Sequence, residues 1–221
     1  MSNAERNGYD CHDLPTLQEI NEAIKDTEIK KAPGQDTITN IVLKHLPMKA
    51  LICIMSILLT IFQNGVFPTS LKNAVVLPIL KPGKDNKDPK SYRPISLLSC
   101  ISKIAEKLIA KRLRKELVAK GIIQNEQFGF QPKCSTAHAL QYIKNDIKNS
   151  FKEKKSTAMI LLDMEKAFDT VCHYSLLYKM IELKISPYLI KVIHSYFKGR
   201  TIQVKVNSTY STKRKVAAGV P

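Results

Sequence analysis

From Ser99 to Lys120 apolar residues recur at three- and four-residue intervals, and no other stretch of the sequence constrains the fold as tightly. Ile101, Ile104, Ala105, Leu108, Ile109, Leu113 and Leu117 share one face of a helix. Lys103, Lys107, Lys111, Arg112 and Lys115 form its other face, and Gly121 ends it. Such a helix must bury its apolar stripe against other elements, and the sequence offers two kinds. Thr16 to Glu19 is a capping box, and Leu17, Ile20, Ala23 and Ile24 continue it as a helix that stops before Pro33 and Gly34. A second helix covers about residues 49–63 and stops at Gly65. Residues 74–80 (AVVLPIL) and 91–98 read as two strands around a polar, basic loop, residues 81–90 (KPGKDNKDPK). A helix over about 135–154 precedes AMILL at 158–162, which reads as a buried strand ending at Asp163. Helices at about 173–183 and 187–198 and a strand at 201–206 complete the order. This mixture predicts an α+β fold, with helices packed on small antiparallel sheets.

Charge narrows the function. The 221 residues hold 35 Lys plus Arg against 19 Asp plus Glu, a net charge of +16. Residues 1–36 hold eight acids and four basic residues, so the remainder carries +20, and residues 184–221 contain eight basic residues and no acid. Of the basic residues 29 are Lys, which meets phosphate as a point charge. The expected partner is therefore a polyanion followed along its backbone rather than read at base edges. A hydrophobic content of 44% excludes a disordered tail. The longest apolar run, residues 50–62, has 13 residues where a membrane span needs about 20, which predicts a core helix and no membrane partner. Residues 1–10 hold no apolar signal core, and the five cysteines lie 34 to 47 residues apart without a CxxC pair. Free thiols, an intracellular setting in nucleus or cytoplasm, and no secretion are the corresponding expectations.

The segment LLDMEKAFDTV at 161–171 is the strongest candidate for chemistry. An apolar strand ending in a carboxylate puts Asp163 at a sheet edge, where it can hold a hard cation such as Mg²⁺; the same residue can instead cap the following turn. Phe168 by itself reads as core. Arg93, one of six arginines, lies between the two strands and with Lys81 suits a phosphate chain, the alternative being an ion pair with Asp85 or Asp88. Gly129, in QFGF at 127–130, lets the backbone approach a ligand closely. The five histidines show no metal-ligand spacing and read as structural or surface residues.

KAPGQD at 31–36, KPGKDNKDPKSYRPIS at 81–96, QFGFQ at 127–131, LLDMEKAFDTV and the closing AGVP occur in series. In that order and spacing the chain resembles the reverse transcriptases of non-LTR retrotransposons, particularly the jockey-type elements, from about residue 16 onward. The resemblance implies a right-hand polymerase: residues 1–70 a helical extension of the fingers, 71–155 fingers with an interleaved palm helix, and 156–221 part of the palm. It implies RNA template, DNA primer and deoxynucleoside triphosphates as partners, and Mg²⁺ with no small-molecule cofactor. Asp163 matches the first palm carboxylate and metal ligand, and Phe168 the aromatic that excludes a ribose 2′-hydroxyl. Lys81 and Arg93 match residues that grip the triphosphate, and Gln127, Phe128 and Gly129 a segment near the template. The chain has Gln131 where Arg is common and Cys172 where Trp is common. The family takes its second carboxylate set from an aromatic-x-Asp-Asp turn, which these 221 residues do not contain. After Asp169 the one remaining acid is Glu182. The expectation is a polymerase portion that by itself does not polymerise, the two metals needing at least two carboxylates. A non-catalytic nucleic-acid-binding remnant is the alternative, and a fragment unable to fold around an exposed palm sheet edge is a third reading.

Overall fold

The computed structural model describes residues 14–220; Cys11, Pro221 and the signal-peptide reading of residues 1–10 lie outside them. Two compact units emerge, one built from the chain up to Arg114 together with Phe168 onward, the other from Lys115–Ala167.

In the first unit the capping box forms as its spacing demands. The Thr16 hydroxyl accepts from the Glu19 N–H at 3.1 Å while the Glu19 carboxylate accepts from the Thr16 N–H at 3.2 Å, opening α1 (Leu17–Lys25). A short α2 (Asn40–Lys44), capped by Thr39, follows; its five residues are too few to show a period in the sequence. The long apolar run becomes α3 (Met48–Asn64), ended by Gly65 in the left-handed region at φ 64°. No helix of the described residues is long and apolar enough to cross a membrane.

Strands β1 (Asn73–Leu80) and β2 (Tyr92–Leu97) pair antiparallel, from Val75 opposite Leu97 to Leu80 opposite Tyr92. Helix α4 (Cys100–Ala119) follows β2 directly. Beyond the second unit come α6 (His173–Glu182), α7 (Pro187–Phe197), β3 (Thr201–Val206), β4 (Thr209–Tyr210) and β5 (Arg214–Lys215), while α5 (Thr136–Lys152) lies in the second unit. β3 pairs antiparallel with β4 and β5, but parallel with β1, from Asn73 opposite Thr201 to Val76 opposite Val204. The sheet is therefore mixed, because its central pair joins strands separated by several helices, and a parallel pair requires a long crossover.

The core of this unit is mainly apolar. Ile20 of α1, Leu58, Ile61 and Phe62 of α3, Ile104 and Leu108 of α4, and Leu189 and Val192 of α7 are all nearly inaccessible. Phe67 meets Tyr196 edge-on, ring centroids 5.0 Å apart. Tyr196 donates its hydroxyl to Glu106 Oε1 at 2.8 Å, and Ser102 Oγ donates to the same oxygen at 3.2 Å. Burial raises the Glu106 pKa against the pull of these bonds, so the acid ties α4 to α7 from an apolar setting.

The basic face of α4 behaves differently from its sequence reading. Lys107 pairs with Asp26 at 2.8 Å, and Lys111 and Arg112 both reach Glu19 at 2.9 Å. Arg112 is buried, with its guanidinium 5.0 Å from the centre of the Phe62 ring. The acid-rich amino-terminal stretch thus neutralises much of the helix expected to follow a polyanion.

In the second unit, the expected strand at 158–162 is absent. Residues 155–164 have no regular structure, and Ile160, Leu161 and Leu162 are each more than four-fifths exposed. The local preference is for a strand, but a strand exists only when a neighbour accepts its backbone hydrogen bonds, and no described residues pair with this run. Its apolar side chains consequently stay in water. The four described cysteines, Cys53, Cys100, Cys134 and Cys172, are free thiols.

Candidate functional site

The β1–β2 hairpin shapes the first group of candidate residues. Register carries past the strand ends: the Lys81 N–H donates to the Ser91 carbonyl at 2.9 Å, two residues beyond the Ile79–Arg93 pair. By the alternation of the pleat, Lys81 and Arg93 are diagonal neighbours on one face. Lys81 Nζ donates to the Lys90 carbonyl at 2.9 Å, leaving two ammonium protons for a further acceptor. The loop between the strands is self-contained. Asp85 accepts from the Lys87 N–H at 3.0 Å, Asp88 from the Lys90 N–H at 2.9 Å, and the Tyr92 hydroxyl donates to the Asn86 carbonyl at 2.9 Å. Both acids thus hold turns of the loop, and neither pairs with Arg93, which is exposed with no ion pair among the described residues. A planar guanidinium and an ammonium on one face of the hairpin have the chemistry to hold an oxygen anion.

Phe168 belongs to the same unit and lies in a run of turns at 165–170, with its side chain about half exposed (55%). It is not the core residue that its type alone suggests. Its carbonyl accepts from the Val220 N–H at 2.9 Å, and the Val171 carbonyl accepts from the Gly219 N–H at 2.9 Å. Gly219 sits at φ 91°, and a Cβ there would stand 2.9 Å from the Asp169 carbonyl oxygen. Only glycine allows this approach. The Gly-Val segment near the chain's end therefore lies against the Phe-Asp segment, a juxtaposition that spacing could not reveal.

The second unit holds the other candidates. Asp163 is exposed within the irregular run, and neither Asp163 nor any other described residue joins a group of three His, Cys, Asp or Glu able to enclose a metal ion. Among the described residues, Asp163 thus stands as a single potential ligand rather than part of an assembled metal site. In the QFGF loop, Gln127 Nε2 donates to the Gly129 carbonyl at 3.1 Å, and the Phe128 ring meets Tyr142 with centroids 5.7 Å apart. The left-handed residue of that loop is Phe130, at φ 58°, rather than Gly129. A Cβ on Gly129 would make only an ordinary contact, with Gln127 at 3.6 Å. The surface over Gly129 is therefore open.

Residues 79–221 match the family model described as reverse transcriptase (RNA-dependent DNA polymerase). Over 205 residues the chain is 40% identical to a probable RNA-directed DNA polymerase from transposon BS of Drosophila melanogaster, covering 93% of this chain and 22% of that protein. It is 36% identical over 209 residues to the RNA-directed DNA polymerase from mobile element jockey of Drosophila funebris, covering 95% and 23% respectively. The chain spans about a fifth of the length of these curated relatives.

Proposed function

The chain belongs to the reverse transcriptase family, and from that premise we propose that it is part of the RNA-directed DNA polymerase of a mobile element. Its substrates are deoxynucleoside triphosphates, and its macromolecular partners an RNA template and a DNA primer, inside the cell in nucleus or cytoplasm. One observation carries the reading: the Lys81–Arg93 face of the hairpin, cationic and without a carboxylate partner for Arg93. On this reading the two residues bind the triphosphate, with residues 71–155 serving as fingers and 156–221 as part of the palm. Phe168 faces the incoming sugar, and Gln127, Phe128 and Gly129 lie along the template.

Polymerases of this kind transfer nucleotidyl groups with divalent metal, which polarises the triphosphate and activates the primer hydroxyl. Asp163 is the proposed Mg²⁺ ligand. The described residues add no group of three ligands to it, so no catalytic step is derived for this polypeptide. The expected result of primer extension on an RNA template with Mg²⁺ is no incorporation by the 221-residue polypeptide. Incorporation that disappears in Asp163→Ala would refute the inactivity. The binding half is tested separately, by cross-linking a photoreactive deoxynucleoside triphosphate. Label is expected on the hairpin and should drop at least tenfold in the Lys81→Ala, Arg93→Ala double variant. Undiminished labelling of that variant would remove the proposed grip. The alternative, nucleic-acid binding without catalysis, rests on the acid-free carboxyl-terminal charge alone.

A further inference from the structure

His173 joins three separately placed pieces of the first unit. It is the first residue of α6. Its ring stacks on Phe197, near the end of α7, with centroids 4.3 Å apart and planes 9° from parallel. Its Nε2 lies 2.7 Å from the Gly219 carbonyl oxygen. A carbonyl can only accept, so Nε2 must carry the proton. The stack fixes the plane of the ring and the hydrogen bond fixes its direction, which leaves the imidazole little freedom.

The Gly219 peptide is thereby held from both sides. Its carbonyl is bound by His173, and its N–H by the Val171 carbonyl. The next N–H, of Val220, holds the Phe168 carbonyl, while Gly219 itself rests on Asp169 without room for a side chain. Phe168 lies in an exposed run of turns, and the Val220 N–H holds its carbonyl there. We propose that His173 is a positioning residue for sugar selection: its Nε2–H clamps the Gly219–Val220 segment against Phe168–Asp169 and so fixes the angle at which the Phe168 ring meets an incoming sugar. The clamp stands on the geometry; its consequence for the sugar rests on the nucleotide reading proposed above. Histidine suits the task because one ring provides both a flat apolar face for Phe197 and an edge donor for Gly219, which neither phenylalanine nor serine offers.

The test uses the 221-residue chain. Long-range proton–nitrogen NMR correlation of wild-type His173 should show protonated Nε2; a neutral ring carrying its proton on Nδ1 would overturn the clamp without any variant. His173→Phe keeps the stack and removes the donor, and His173→Gln restores a donor at a similar reach. Amide exchange at Gly219 and Val220 should accelerate about tenfold in His173→Phe and return to within about threefold in His173→Gln, as loss and recovery of one hydrogen bond require. Exchange unchanged in His173→Phe overturns the clamp.

Equilibrium binding of fluorescent deoxyguanosine and guanosine triphosphates then tests the sugar role. His173→Phe should narrow the preference for the deoxy form about fivefold, with recovery in His173→Gln. Faster exchange with an unchanged preference overturns the positioning role. Failure of the wild-type chain to bind either nucleotide, with its amides still protected, overturns the nucleotide reading and the sugar role together while leaving the clamp intact.

Discussion

Glu19 receives hydrogen bonds from Lys111, from Arg112 and from the Thr16 N–H. Partial burial opposes its ionisation, yet these donors together hold its pKa down to about 2. The native value lies below that of an unfolded carboxylate near 4.5, so the stabilisation is complete above about pH 4.5 and is lost as pH falls toward about 2. Chemical denaturation from pH 6 to pH 2.5 should therefore show a stability decline that is shallower in Glu19→Gln than in wild type. Arg112 is the buried partner, and Arg112→Ala also exposes the Phe62 face; we expect a loss of about 2–3 kcal/mol in urea unfolding. Gly219→Ala forces its methyl onto the Asp169 carbonyl at a backbone angle that alanine disfavours. It should release the amide protection of Val220 while leaving the core amides of α7 unchanged. The sequence marks Arg112 as surface because charge and helical phase are all it offers. An aromatic face and a distant carboxylate that make burial tolerable belong to two other helices.

At the scale of elements, most helix and strand positions are legible because each has a local cause. Thr16 caps α1, Gly65 terminates α3, and the continuous apolar run AVVLPIL marks β1. The exception is instructive. The AMILL run has the composition of a strand, but its hydrogen-bonding neighbour must come from elsewhere, and no described segment supplies one. An unpaired apolar segment of this length, without proline, is a template for association. Leu161→Lys should raise the concentration at which light scattering appears while leaving the thermal midpoint within about 1 °C, since Leu161 is already 82% exposed. The tie between α4 and α7 is tested by Tyr196→Phe, which leaves Glu106 with one hydroxyl donor fewer; a loss of about 1–2 kcal/mol is expected.

Across the whole molecule, the +16 charge is not uniformly available to a partner. Acids of the α1 region take up Lys107, Lys111 and Arg112, whereas Lys213, Arg214 and Lys215 form no ion pair among the described residues. Binding to single-stranded RNA should weaken linearly in log–log salt titration, by about 0.7 per phosphate contacted. Replacing Lys213, Arg214 and Lys215 by Gln should reduce that slope by about 2, while Lys107→Gln with Lys111→Gln should leave it nearly unchanged. Equal effects from both sets would show that the α1 acids do not screen α4. Sequence alone determined the family, the mixed α and β content and the net charge, because serial motifs, periodicity and composition are properties of the chain in order. Tertiary structure decided which charges are already paired, that β1 and β3 lie side by side, that the AMILL run pairs with no strand among the described residues, and that His173 reaches Gly219 across 46 residues. Each of these depends on groups far apart in the chain becoming neighbours, and burial, pairing and hydrogen bonding are properties of neighbours in space.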